Sequence, residues 1–291
     1  MGEPLRLSYW AWSLSDSGCV GIDRGGAATA PALLEWQAPP AELHLKRDDV
    51  HVWRVNLTLA PLPYLALRQT LSADELARAK RFVREGDRQH FIVARGALRD
   101  IVARYLRAQP GQIRFRCDAH GKPSLEESCS ATQGSASELQ FNLSHTDGLA
   151  LVAIASGRRV GVDVERIRSG ISQDMIARSF SPQEQQVLRS LPAHLQALGF
   201  FNCWTRKEAY LKARGEGLTL SMDSFDVSLD PGAPVRLLNV RGDADEPARW
   251  MIVELPPGPG HVAALAAERL LEGELACTAT LDDFCGCFSA R

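Results

Sequence analysis

Residues 139–165 read Leu139-Gln140-Phe141-Asn142-Leu143-Ser144-His145-Thr146-Asp147-Gly148-Leu149-Ala150-Leu151-Val152-Ala153-Ile154-Ala155-Ser156-Gly157-Arg158-Arg159-Val160-Gly161-Val162-Asp163-Val164-Glu165. Three short apolar runs stand out, Leu139 to Leu143, Leu149 to Ala155 and Val160 to Val164, with turn residues between them. Runs of this length and punctuation predict three consecutive strands. In the third, alternation puts Val160, Val162 and Val164 on one face and Gly161, Asp163 and Glu165 on the other. Two carboxylates then stand about 6.5 to 7 Å apart along one strand, able to converge on a hard cation. An amphipathic strand with a solvated acidic face accounts for the same residues. Gly161 adds one constraint, because a missing side chain lets another group approach that face.

Working outward, Ser181-Pro182-Gln183-Glu184 opens a helix with proline in its first turn, and Gly199 to Arg214 makes a long one. Within it Trp204, Glu208 and Lys212 share a stripe at i, i+4 and i+8. A surface Glu-to-Lys pair explains the last two, but Phe201 and Trp204 call for burial, so the acid and the lysine point into a cleft. Strand-like runs return at Phe225 to Leu229, Val235 to Val240, Trp250 to Leu255 and His261 to Ala267. Upstream, Val50 to Leu57 alternates as a strand. Ser72-Ala73-Asp74-Glu75 reads as a capping box opening a helix through about Arg84, and a second helix runs from Asp87 to about Arg107. Strand, two helices, then strands thus occurs twice. The expected fold is α+β, two similar halves meeting at a cleft, at residues 49–157 and 158–275. Residues 1–48 read as a partly mobile extension and 276–291 as a tail.

The chain has 291 residues, 45% apolar and 23% charged, which excludes a disordered, collagenous or coiled-coil protein. Its net charge of -2 gives no global pull toward nucleic acid or anionic membrane. The balance hides an asymmetry: between Arg78 and Arg116 there are eleven Arg or Lys against three acids, a local +8. No run reaches the length of a membrane span and the start lacks a signal-peptide pattern. Seven cysteines, an odd number with no zinc spacing, point to reduced thiols in a cytoplasm. Gly121-Lys122-Pro123 presents a lysine from a rigid turn suited to a phosphate, and Asn142-Leu143-Ser144-His145 clusters hydrogen-bonding side chains at a strand end. Each of these taken alone is more often turn chemistry than a site.

Together the motifs resemble the Sfp-type 4'-phosphopantetheinyl transferases, which move phosphopantetheine from coenzyme A to a serine of a carrier protein. The resemblance runs from about residue 50 to 270. It rests on Phe82 to Arg99, Gly121-Lys122-Pro123, Phe141 to His145, Gly161 to Glu165 and Trp204 to Lys212, in family order. It implies a pseudo-two-fold pair of α+β halves in a monomer. It implies that Asp163, Glu165 and Glu208 hold Mg2+, with Mn2+ left open, bridging to the coenzyme A pyrophosphate. Arg78, Arg95, Lys122, Pro123, Ser144 and His145 fall where the family contacts coenzyme A, as does Asp163. Lys212 falls where a lysine steadies the pyrophosphate and protonates the leaving 3',5'-ADP. Glu75 departs from the pattern, standing where some members carry a phosphate-binding lysine.

Serine is a poor nucleophile at neutral pH, so attack on phosphorus needs a base, in-line positioning and neutralised charge. Glu208 is the candidate base, directly or through water. The implied partners are acyl or peptidyl carrier domains, whose acidity the arginine-rich half would steer. No nucleic acid or membrane is expected. The alternatives are a coenzyme A or nucleotide pyrophosphohydrolase and a non-catalytic carrier-binding module. The latter would need a broken metal set, and Asp163, Glu165, Glu208 and Lys212 are all present.

Overall fold

In a computed structural model the residues described are 9–15, 36–38, 40, 42–117, 123–126, 138–215 and 220–270. Gly121, Lys122 and the tail 276–291 lie outside them, as do all the cysteines of the tail.

The chain opens with β1 (Tyr9–Ser15) and β2 (Asp49–Asn56), then three helices, α1 (Pro61–Thr70), α2 (Ala73–Ala79) and α3 (Glu85–Leu106). A small ribbon of β3 (Phe115–Cys117) and β4 (Pro123–Leu125) precedes β5 (Leu139–Thr146) and β6 (Leu149–Ser156). Next come β7 (Val160–Arg166) and again three helices, α4 (Gln173–Ser179), α5 (Pro182–Ser190) and α6 (Ala193–Arg214). A second ribbon, β8 (Phe225–Val227) with β9 (Leu237–Val240), leads through the single turn α7 (Glu246–Arg249) to β10 (Trp250–Leu255) and β11 (His261–Glu268).

Two antiparallel sheets result, β1-β2-β6-β5 and β10-β11-β7. In each half the first strand pairs with the last and the last with the one before it: β2-β6-β5 is repeated as β7-β11-β10. Each half also spends its longest helix, 22 residues in α3 and in α6, on the outer face of its own sheet. The order read twice in the sequence is therefore a repeat of topology. No helix among the described residues is long and apolar enough to cross a membrane.

Three cores hold the layers. Trp53, Val55, Val152 and Ile154 meet Val93, Ala97, Leu98 and Ile101 of α3. Val262, Ala264 and Ala266 meet Phe200, Cys203, Tyr210 and Ala213 of α6. Between the sheets, Val50, Val52, Leu151 and Ala153 pack on Val160, Val162, Val164 and Leu265. The alternation expected of β7 is thus realised, with its valines between the sheets and its glycine and acids turned to α6.

One edge is closed differently. Strand β7 lies beside β5, yet side chains make the connection: Asn142 Oδ1 accepts from the Val162 N–H at 2.9 Å and Ser144 Oγ from the Val164 N–H at 3.4 Å. Buried amides need a partner, and residues two apart on β5 supply one each to residues two apart on β7.

The structure differs from the sequence reading in places. The extension contributes β1, paired with β2 along its whole length, and Trp36 Nε1 donates to the Pro256 carbonyl at 2.5 Å. Helix α2 stops at Ala79 instead of running to Arg84, because the chain turns to pack Phe82 against Phe91, ring centres 5.2 Å apart and tilted by 37°. Helix α1 lies in a stretch to which the sequence reading assigned no element, as does β4.

Candidate active site

A Cβ placed on Gly161 would stand 2.2 Å from the Ala209 carbonyl oxygen and 2.3 Å from the Ala213 nitrogen. Only glycine lets α6 lie this close on β7. Two and four residues on, the same face of the strand delivers Asp163 and Glu165 to the helix. Trp204, Glu208 and Lys212 are half-buried there, while nearly all the surrounding residues of α6 are buried. The two carboxylates of β7 arrive beside this stripe.

Asp163 is 4% exposed. Its Oδ1 accepts from Lys212 Nζ at 2.6 Å and from Ser144 Oγ at 2.8 Å. The lysine also donates to Ser144 Oγ at 3.1 Å and to the Val162 carbonyl at 3.4 Å. Oδ2 of Asp163 is buried and has no protein partner, a costly state for half of a carboxylate. Burial, and then the charge of Asp163, push the Glu165 carboxyl above its ordinary range, with Glu208 adding to the rise against Arg168 and Lys212. Burial also raises Glu208, Asp163 adding to it and Lys212 opposing. Three carboxylates thus share one ammonium, and the excess negative charge is what a hard cation would relieve. Among the described residues no three His, Cys, Asp or Glu side chains already form a group that could hold a metal ion. The donor chemistry, all oxygen with one buried oxygen unspent, nevertheless fits a divalent hard cation.

His145 follows Ser144 on β5. Its surroundings, then the positive charge of Lys212 and the proximity of His90 from α3, hold its imidazole below the usual value. Other residues expected to contact coenzyme A lie on α2 and α3. Arg95 is bound to Glu75, Nη2 to Oε1 at 2.7 Å, while Arg99 Nε meets Oε2 at 2.7 Å and Phe115 lies under both guanidinium groups. Glu75 accepts from the Ser72 N–H as the capping box requires. Burial would raise its carboxyl, but Arg95, Ser72 and Arg99 together hold it below the ordinary range. The departure at Glu75 is therefore an arginine clamp. Arg78 is exposed, its guanidinium over the Phe91 ring. Pro123 opens β4, half-buried; Lys122 is outside the described residues.

Lys207 was given no role by the sequence reading. It is 0% exposed, paired with Glu184 at 2.7 Å and donating to the Met222 and Phe225 carbonyls at 2.6 Å each. Glu184 also accepts from the Ser181 and Val227 amides. The available signal was a lysine on the apolar line Phe200, Cys203, Leu211, where an ammonium needs a buried acid.

Known proteins match both halves. A family model described as 4'-phosphopantetheinyl transferase, N-terminal, matches residues 61–157, and one for the 4'-phosphopantetheinyl transferase superfamily matches 159–266. The chain is 40% identical over 232 residues to the 4'-phosphopantetheinyl transferase HetI of Nostoc sp., covering 79% of this chain and 92% of that protein. It is 27% identical over 188 residues to Sfp of Bacillus subtilis, 65% and 79% of the two chains. A solved holo-[acyl-carrier-protein] synthase of Thermotoga maritima aligns at 19% identity and a TM-score of 0.31, over 38% of this chain and 62% of that one. On the extent of the match to HetI and the two adjoining family models, the chain belongs to the 4'-phosphopantetheinyl transferases, enzymes that transfer the phosphopantetheine group of coenzyme A to carrier proteins.

Proposed function

We propose that the transfer is Mg2+-dependent and runs at the β5–β7 seam, with Asp163, Glu165 and Glu208 as the metal's protein ligands. Bound there, the cation would neutralise charge on the coenzyme A pyrophosphate. The observation that carries this reading is the buried, unpartnered Oδ2 of Asp163 beside two carboxyls held above their ordinary range. Glu208 takes the proton of the carrier serine, whose oxygen forms a bond to the phosphopantetheine phosphorus. The bond from that phosphorus to the bridging oxygen breaks, and Lys212 supplies a proton to the departing 3',5'-ADP. A carboxyl with a raised pKa is a better base than an ordinary one. Lys212 must leave Asp163 to reach the phosphates, and the negative diphosphate is the group that draws it away.

Residues 49–157 hold the nucleotide through His145, Arg95, Arg78, Lys122 and Pro123, and residues 158–275 carry the metal and the chemistry. The enzyme works as a cytoplasmic monomer on an acyl or peptidyl carrier domain, and a site of carboxylate oxygens suits Mn2+ as well as Mg2+. Intact-protein mass spectrometry of an apo carrier domain, incubated with coenzyme A, Mg2+ and this protein, tests the reading. A gain of about 340 Da that EDTA abolishes is expected for the phosphoryl transfer. The same gain in EDTA would remove the metal from the mechanism. Free 4'-phosphopantetheine without modified carrier would mean water is the acceptor.

A further inference from the structure

Ser144 stands where the family resemblance expects a coenzyme A contact, but its hydroxyl is fully spent inside the protein. A serine hydroxyl has one hydrogen to donate and two lone pairs to accept with. The hydrogen goes to Asp163 Oδ1 at 2.8 Å; the lone pairs take Lys212 Nζ at 3.1 Å and the Val164 amide at 3.4 Å. The side chain is 7% exposed. The one hydrogen that a phosphate could accept is already given to Asp163. The same hydroxyl ties three things together: the edge of β7, the carboxylate carried one residue before Val164, and the lysine on α6.

We propose that Ser144 is a positioning residue for Asp163. By holding Oδ1, it fixes the carboxylate rotamer so that Oδ2 is the oxygen offered to the site, and it gives Lys212 a second anchor from which to exchange. Asn142 extends the device, since its bond to the Val162 amide sets the depth of β7 two residues earlier. This inference rests on the proposed metal role of Asp163, and the experiment separates the two.

Three readouts are compared in Ser144→Ala, Ser144→Thr and Asp163→Asn: Mn2+ affinity by electron paramagnetic resonance in the presence of coenzyme A, coenzyme A affinity by calorimetry in EDTA, and the melting temperature. Loss of one charge-assisted hydrogen bond predicts that Ser144→Ala weakens Mn2+ binding about tenfold and leaves metal-free coenzyme A affinity within about threefold. Ser144→Thr, which keeps the hydroxyl, restores Mn2+ binding toward the wild-type value. Coenzyme A affinity falling tenfold in EDTA with Mn2+ binding unchanged would make Ser144 a nucleotide contact and overturn the proposal. A lowered melting temperature with both affinities unchanged would also overturn it, leaving Ser144 as packing. Should Ser144→Ala not fold, Ser144→Cys keeps the shape with a much weaker donor and carries the same comparison. If Asp163→Asn weakens Mn2+ binding and the serine variants do not, only this inference fails. If Asp163→Asn leaves Mn2+ binding intact, the metal reading fails and takes this one with it.

Discussion

In the proposed mechanism Glu208 carries two demands that pull against each other, since a carboxylate that touches a metal is a weaker base. Burial, followed by the neighbouring Asp163, raises its pKa and offsets part of that weakening. Glu208→Gln is expected to lower turnover by roughly 10² to 10⁴-fold, the usual range for a lost acid-base group; a steady-state assay giving near-normal turnover would strike it from the mechanism. A second residue, on β2, contributes to the acid stability. His51 is buried with Nδ1 at 2.8 Å from the Tyr105 hydroxyl, which also accepts from Trp53 Nε1 at 2.9 Å, and its pKa is pushed down to about 4 by burial. The unfolded imidazole takes a proton near pH 6.5, the folded one resists until about 4, so the unfolded state binds more protons between these values. The contribution is complete above pH 6.5 and is lost on acidification. Asp49, 4.0 Å from Nε2 and itself raised by burial, works in the opposite sense at the lower end of the window. Between pH 7 and pH 5 the wild type should lose about 2 kcal/mol in urea unfolding beyond what His51→Gln loses. Equal losses in the two proteins would mean that His51 is not the group responsible.

At the scale of elements, the contact between β7 and α6 decides whether the site assembles. A methyl on Gly161 meets the backbone of α6 at Ala209, Lys212 and Ala213, and backbone cannot swing away as a side chain does. Gly161→Ala should therefore cost about 3 kcal/mol, the upper part of the overpacking range. It should depress activity even in the folded fraction, because Glu208 and Lys212 ride on the displaced helix; chemical denaturation and an assay on the folded protein check both. How much of this was legible depended on the range of the interaction. Strands β5, β6, β7, β10 and β11 were readable because each carries its own apolar run between turns. The glycine was flagged from its place opposite the valines alone. Helix α1 escaped because Pro61 and Pro63 look like breakers, yet both sit in a first turn, where their missing N–H groups are not needed. Strand β1 escaped because its regularity comes from pairing with β2, some forty residues away. The trio Ser144, Asp163 and Lys212 was singled out as separate motifs, but the bonds among them span 19 to 68 residues and have no local signature.

For the whole molecule, the topological repeat explains why the charge asymmetry of the sequence is also a spatial one. The first half has put arginines on its long helix and the second has put its carboxylates beside the equivalent one, so the residues proposed for the anion and those proposed for the cation come from opposite copies of one plan. The extension adds a strap: β1 covers the open edge of β2, and Trp36 reaches the β10–β11 connection in the other half. An uncovered β2, buried on both faces and lined with free backbone groups on one side, would be a template for another chain. Removing residues 1–35 is expected to leave the transfer chemistry intact in dilute solution while the protein sediments as larger species as its concentration rises. Sedimentation identical to that of the full-length chain would assign the extension some other task.

The side-chain seam between β5 and β7 has one more consequence, for isotope exchange. The amide protons of Val162 and Val164 are shielded by Asn142 and Ser144 instead of by a neighbouring strand's carbonyls, so they are lost to deuterium whenever the two halves part, even briefly. Residues within β6 wait for a far larger opening. The ratio of these rates is a clock for the breathing of the cleft, readable without substrate, and coenzyme A should slow it at those two positions before it slows anything in the cores.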